Sequence, residues 1–143
     1  MLKSGKVLLA AMFIAYASPM ALAQFLSEMN QQLDQLFGSH EPYHAFFSKL
    51  QKAVAADDKE TVASMIDYPF ATRIGGKAIK IRDAKHFIAD YDKVITSKVK
   101  AAVAKQRYED LFANWQGVMI GDGEVWFSGV DEKNTIKIIA IND

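Results

Sequence analysis

The order of secondary-structure patterns along the chain predicts an α+β fold. In the first third of the mature region, apolar residues recur every three to four positions, which is the period of amphipathic helices. Two β-prone segments around a glycine pair follow, and after another helical stretch the last third has the short runs and turns of a strand meander. Short connections favour antiparallel pairing, so we expect the N-terminal helices to pack on a mostly antiparallel sheet.

The first 23 residues have the features of a signal peptide. Lys3 and Lys6 give a positive start, residues 7–17 are apolar or small, and Ala21 and Ala23 are the small residues that signal peptidase requires. The apolar run is shorter than the ~20 residues of a transmembrane helix. We therefore expect export to the periplasm with cleavage after Ala23, and full secretion stays open as an alternative.

Composition limits the classes of function. The 17 basic and 17 acidic residues balance, and removing Lys3 and Lys6 leaves a slightly acidic chain without a basic run, which argues against nucleic-acid binding. The chain has no cysteine, so it has neither disulfides nor a lipid anchor, and we expect no membrane anchor after cleavage. Residues 24–143 have the length of one ordinary domain.

Residues 24–41 are predicted to form an amphipathic helix and a linker in front of the domain proper, residues 42–143. The apolar stripe of this helix runs from Phe25 to Phe37, and Gly38 is a typical helix end. A stripe of this kind packs on the core of its own domain or on a second copy, so a homodimer stays open.

The domain is predicted to begin with two helices and a hairpin. The first helix starts near Pro42, a residue favoured in first helical turns, and the second is capped by Asp57. The glycine pair Gly75–Gly76 supplies the turn of a hairpin between strands 68–74 and 77–81. Helices then follow from Asp83, a good N-cap, and over residues 97–106.

The stretch Asn114–Gly129 is predicted to form a hairpin within a β-meander. Strands 115–120 and 124–130 flank a turn at Gly121–Gly123, and a final strand covers residues 135–141. Alternation assigns Met119, Glu124 and Trp126 to one face of these strands. It assigns to the other face Val118, Ile120, Val125 and Phe127.

The element order and several local motifs resemble the NTF2-like, or cystatin-like, superfamily. The motifs are Asp67–Phe70, Gly76–Lys77, Asn114–Gly121 and Gly123–Phe127, and the resemblance covers residues 42–142, as in small exported bacterial proteins without an assigned activity. It implies a cone in which a strongly curved sheet wraps around the helices. Members include isomerases, dehydratases and non-catalytic binding modules, so the fold does not transfer a function. The tyrosine and aspartate pattern of the ketosteroid isomerase relatives has no match here.

No metal site or cofactor is predicted. Gly121–Glu124 is only a fragment of a calcium loop, and its glycines and aspartate are what a hairpin turn requires. The three histidines, His40, His44 and His86, do not form a convincing ligand set, and we interpret them as surface or capping residues.

General acid–base chemistry needs only one carboxylate or tyrosine in an apolar cavity. The candidates are Asp67, Tyr68, Tyr91 and Asp92, although the two aspartates are equally typical of a helix end and a solvated helix face. These residues define the alternative function, a cavity enzyme of the isomerase or lyase class.

The leading hypothesis is an exported, non-catalytic binding or interaction domain whose partner is a small apolar ligand or a periplasmic protein. We expect both tryptophans to belong to the core, because each can bury ~200 Å². At the open end of a cone, an indole would instead form an apolar pocket with a few polar groups, the usual form of a small-molecule site. The residues of this candidate pocket are Tyr68, Tyr91, Asn114, Trp115 and Trp126.

Overall fold

A computed structural model describes residues 18–143 and confirms the α+β fold. Residues 1–17 of the predicted signal peptide lie outside the described residues. In the described part of the chain, no helix is both long and apolar enough to cross a membrane.

The helices precede and interrupt two antiparallel sheets. The helices are α1 (Pro19–Phe37), α2 (Glu41–Ala55), α3 (Lys59–Ser64), α4 (Ala84–Val94) and α5 (Ser97–Lys105), and a 3-10 turn covers Tyr108–Asp110. The strands are β1 (Phe70–Ile74), β2 (Lys77–Ile81), β3 (Phe112–Asn114), β4 (Gly117–Ile120), β5 (Val125–Gly129) and β6 (Ile136–Ile141).

Helix α1 begins five residues before the predicted mature N-terminus, Gln24. The hydroxyl of Ser18 caps it by accepting a hydrogen bond from the Ala21 amide at 3.2 Å. Gly38 ends it in the left-handed region at φ +88°, as the sequence predicts. The helix therefore runs without a break through the predicted cleavage site after Ala23.

Only the C-terminal half of α1 packs on the domain. Met29 and Leu33 are buried, whereas Phe25, on the same stripe, is 49% exposed. The Gln32 side-chain amide donates a hydrogen bond of 2.9 Å to the carbonyl of Ala113 in β3. The predicted docking of the stripe is thus confirmed for its second half.

The N-cap of α3 is Asp58, and the expectation of Asp57 is wrong. The Asp58 carboxylate accepts hydrogen bonds from the amide and the hydroxyl of Thr61, at 3.1 and 2.6 Å. Asp57 has φ +48°, the left-handed conformation of a residue that ends a helix, whereas an N-cap residue requires a negative φ. Helix α2 begins at Glu41, one residue before the predicted Pro42.

The strands lie in the order β3-β4-β5-β6, and β1 pairs with β2 in a separate hairpin that turns at Gly75 and Gly76. β6 connects the four-stranded sheet to the segment after α3 and to the first hairpin. Its residue Ile138 exchanges backbone hydrogen bonds with Met65 and Asp67, at 2.7 and 3.0 Å, and the Thr72 hydroxyl of β1 donates to the Ile141 carbonyl at 3.1 Å.

The two faces of the four-stranded sheet are distinct, as the alternation predicts. The inner face, defined by the buried residues Val118, Ile120, Val125 and Phe127, turns towards the helices. The outer face carries Met119, which pairs with Trp126 across β4 and β5, and both side chains are half-buried. The helices therefore cover one face and leave the other open.

The docking of α1 predicts unequal effects for two positions of one stripe. Leu33→Ala should lower the free energy of unfolding by about 2–5 kcal/mol, because Leu33 is fully buried and its removal leaves a cavity. Phe25→Ala should change it by less than about 1 kcal/mol in the monomer, since Phe25 is half-exposed. Urea denaturation measures both, and equal losses would contradict a half-docked helix.

Candidate functional site

The structure places the five candidate residues on different sides of the molecule. Tyr68 and Tyr91 lie among the helices, where Tyr91 is fully buried and Tyr68 donates to the Ala63 carbonyl at 2.7 Å. Trp126 lies on the outer face of the sheet, and Asn114 and Trp115 lie at the end of the β3–β4 hairpin. They do not line one common pocket.

Tyr91 is fully buried, and its hydroxyl has no hydrogen-bond partner among the described residues. Burial raises the pKa of Tyr91 to about 12, and the negative charges of Asp57, Asp92 and Asp58 add to the effect. The Lys59 ammonium lies 5.5 Å from the ring centroid, where it interacts with the π face. At neutral pH the hydroxyl is therefore protonated and a weak acid.

Burial also raises the pKa of Tyr68 to about 12, and the charge of Asp83 contributes to the shift. Asp83 caps α4 by accepting from the His86 amide at 3.0 Å, and it contacts the His86 ring at 2.6 Å. These hydrogen bonds hold the pKa of Asp83 below its usual range. The interpretation of His86 as a capping histidine agrees with these contacts.

The other acid–base candidates are exposed carboxylates. Asp67 uses its backbone amide to bind the Ile138 carbonyl, and Asp92 forms an exposed ion pair with Lys59 at 3.3 Å. Neither carboxylate is desolvated.

In the described part of the chain, no group of three or more histidine, aspartate or glutamate side chains converges as metal ligands.

The expectation that Trp115 belongs to a strand and to the core is wrong. Residues 112–114 form the strand β3, which the sequence analysis missed, and Trp115 lies in the turn to β4 with 81% of its surface exposed. The Asn114 side chain closes the turn by accepting from the Gln116 amide at 2.9 Å. Gly117 has φ +147°, a conformation that residues with side chains rarely adopt. The spacing of Asn114 and Gly117 was the sequence signal that could have predicted this turn.

Trp126 belongs to an apolar row that crosses the outer face. Phe112 pairs with Met119, Met119 pairs with Trp126, and Trp126 pairs with Ala140. Phe112 is half-exposed and approaches the Trp126 ring edge-on, with 6.3 Å between the centroids. The arrangement presents aromatic surface to solvent on a rigid sheet.

An open cleft of about 450 Å³ lies beside Trp126. Met119 and Trp126 form its apolar side, and the turn between β4 and β5 forms its rim. The Asn142 side chain donates to the Gly123 carbonyl at 2.8 Å and so holds the rim in place. The polar groups that line the cleft include those of Lys98, Asp122, Glu124 and Asn142.

The β4–β5 turn is closed by its own glutamate, which the sequence analysis expected on the outer face. The Glu124 carboxylate is only 9% exposed and accepts from the Asp122 amide at 2.6 Å. The Gln106 side chain accepts from the Gly121 amide at 2.8 Å. The structure confirms the interpretation of Gly121–Glu124 as a hairpin turn.

Comparison of the chain with protein-family models, curated proteins and solved structures gave no match. The resemblance to the NTF2-like superfamily therefore stays an expectation.

Tyr68, which is partly buried, and Tyr91, which is fully buried, provide a matched test of the helix side of the molecule. Tyr68→Phe should lower the free energy of unfolding by about 1 kcal/mol, because the hydrogen bond from the hydroxyl to the Ala63 carbonyl is lost. Tyr91→Phe should leave it unchanged or raise it, because the hydroxyl that is removed has no partner within residues 18–143. Equal losses in urea denaturation would show that the Tyr91 hydroxyl binds something.

The turn predicts a ranking among three substitutions. Gly121 and Gly123 have φ +65° and +113°, so alanine is strained at both positions, by about 1–3 kcal/mol each. Gly121→Ala should cost more, because its Cβ would collide with the Glu124 carboxylate. The control, Asp122→Ala, removes an exposed side chain and should have little effect. Thermal unfolding measures the order, and a larger loss for Asp122→Ala would contradict it.

Proposed function

We propose that the protein is an exported, non-catalytic binding domain of the NTF2-like type that binds on the outer face of its sheet. The single observation that carries the proposal is the partly exposed Trp126, which lies in an apolar row beside an open cleft. Exposed apolar patches of this kind are typical of binding sites.

The space between the inner face and the helices supports a surface site over an interior one. Large, fully buried side chains fill this space. The polar groups that an enzyme could use have other roles. Tyr91 is held neutral, and Glu124 closes a turn. The largest of the fully buried side chains are Tyr91, Phe70, Phe87, Phe127, Leu33 and Leu50.

The cleft combines apolar surface with a few polar groups, which is the usual form of a ligand site. Met119 and Trp126 provide the apolar contact, while the Lys98 ammonium provides a donor that orients a ligand. This chemistry suits a small apolar ligand with a polar end, or an apolar side chain of a periplasmic protein. The signal-peptide pattern of residues 1–23 supports the periplasm as the compartment.

The test compares two variants of the outer face in a pull-down from periplasmic extract, with mass spectrometry of proteins and small molecules. Trp126→Thr removes the indole but keeps a strand-forming residue, and should reduce capture at least tenfold. Ile139→Thr changes an exposed residue of the neighbouring strand β6 and should have no effect.

Tryptophan fluorescence then measures the affinity for the captured molecule. The chain has two tryptophans, so Trp115→Phe leaves Trp126 as the sole indole. Its emission should shift on titration. Equal capture by Trp126→Thr and the wild type would contradict the proposed site.

A further inference from the structure

The exposed apolar side chains of the protein are concentrated in two neighbouring elements. Among the described residues, seven of the nine exposed large apolar side chains belong to α1 or to the β3–β4 hairpin. α1 passes β3 closely enough for Gln32 to bind the Ala113 carbonyl. Four of these exposed side chains lie after the predicted cleavage site, in the N-terminal half of α1 or in the β3–β4 hairpin. We call them the apolar edge, namely Phe25, Leu26, Phe112 and Trp115.

The two chain segments that carry the apolar edge have no charged side chains. Residues 18–27 and 111–121 contain no charged residue, although 24% of the chain is charged. Burying such a surface requires no charge to be desolvated, and depletion of charge with enrichment in aromatic residues is typical of interface cores.

The charge of α1 argues against a lipid surface as the partner. Amphipathic helices that bind anionic membranes carry lysine and arginine on their polar face. The chain has no lysine or arginine between Lys6 and Lys49, and α1 carries the acidic residues Glu28 and Asp34 instead. An uncharged protein surface fits the edge better.

A second copy of the chain presents such a surface. β3 is the edge strand of the four-stranded sheet, and residues 22–28 of α1 are exposed on the N-terminal side of the docked residue Met29. Even in a chain that starts at Gln24, residues 24–28 extend about 7 Å. This exceeds the ~4.8 Å spacing between strands, so the helix can reach a neighbouring hairpin.

We infer that the protein forms a reciprocal two-fold dimer, in which α1 of each copy packs on the β3–β4 hairpin of the other. In a two-fold dimer, the α1 part of the apolar edge of each copy contacts the hairpin part of the other copy. Both parts are therefore covered in both copies. The four side chains offer on the order of 500 Å² of exposed surface per copy. A standard interface buries ~800 Å² per partner, so these four side chains would supply more than half of it. The inference goes beyond the proposed function. Phe112 belongs both to the apolar row and to the apolar edge, but the residues that line the cleft beside Trp126 take no part in the dimer.

Cysteine cross-linking tests the arrangement, and the chain has no cysteine of its own to interfere. Phe25→Cys and Trp115→Cys change exposed residues, so both variants should fold. Mixed and oxidised, they should form a disulfide-linked heterodimer, which mass spectrometry distinguishes from either homodimer. The control mixes Phe25→Cys with Ile139→Cys, an exposed position on β6, the strand at the opposite edge of the sheet from β3, and should give no comparable product. A dominant Phe25→Cys homodimer would overturn the reciprocal arrangement.

Analytical ultracentrifugation of the protein purified after expression of the full chain tests the association itself. The wild type should be dimeric at micromolar concentrations, and Phe25→Ser and Trp115→Ser should each raise the dimer dissociation constant at least tenfold. Ile139→Ser, on β6 at the opposite edge of the sheet, should leave it unchanged. A wild type that stays monomeric, or that binds phosphatidylglycerol vesicles through Phe25 and Trp115 as a monomer, would overturn the inference. Ligand capture at Trp126 is read separately, so either proposal can fail alone.

Discussion

Burial of one face of the four-stranded sheet against the helices is the constraint on which the rest of the structure depends. Val118, Ile120 and Phe127 point inwards and are fully buried. Because successive side chains of a strand point to opposite faces, their burial forces Met119 and Trp126 outwards. The open outer face is therefore a consequence of the way the core is built.

Because of the same constraint, the accessible side chains that could bind a ligand lie at the surface and not in the interior. A cone with a hollow interior would place tyrosines and carboxylates around a substrate, but here Tyr91 is a core residue and the Glu124 carboxylate stabilises a turn. What stays accessible is aromatic surface on rigid elements, at the cleft beside Trp126 and at the β3 edge. Rigid, preorganised apolar surface favours binding, because little conformational entropy is lost on association.

Local patterns predicted those features that depend on neighbouring residues. Asp83 caps α4 and Gly75–Gly76 turn the first hairpin, because each effect lies within three residues of its cause. Trp115 shows the limit of a general preference. Tryptophan is usually buried, yet the turn that Asn114 and Gly117 form leaves the indole in solvent. The capping-box spacing pointed to Asp57, and only the backbone conformation shows that its neighbour Asp58 caps α3.

By itself, the sequence determined the type and order of the elements and the inward face of the β4–β5 hairpin, because periodicity and turn chemistry act over a few residues. Only the tertiary structure decided which distant side chains meet. Gln32 binds the carbonyl of Ala113, 81 residues away, and Tyr91 is buried where none of the described residues bonds its hydroxyl. Such contacts depend on how separate elements pack, and that packing leaves half of α1 uncovered beside the β3 edge.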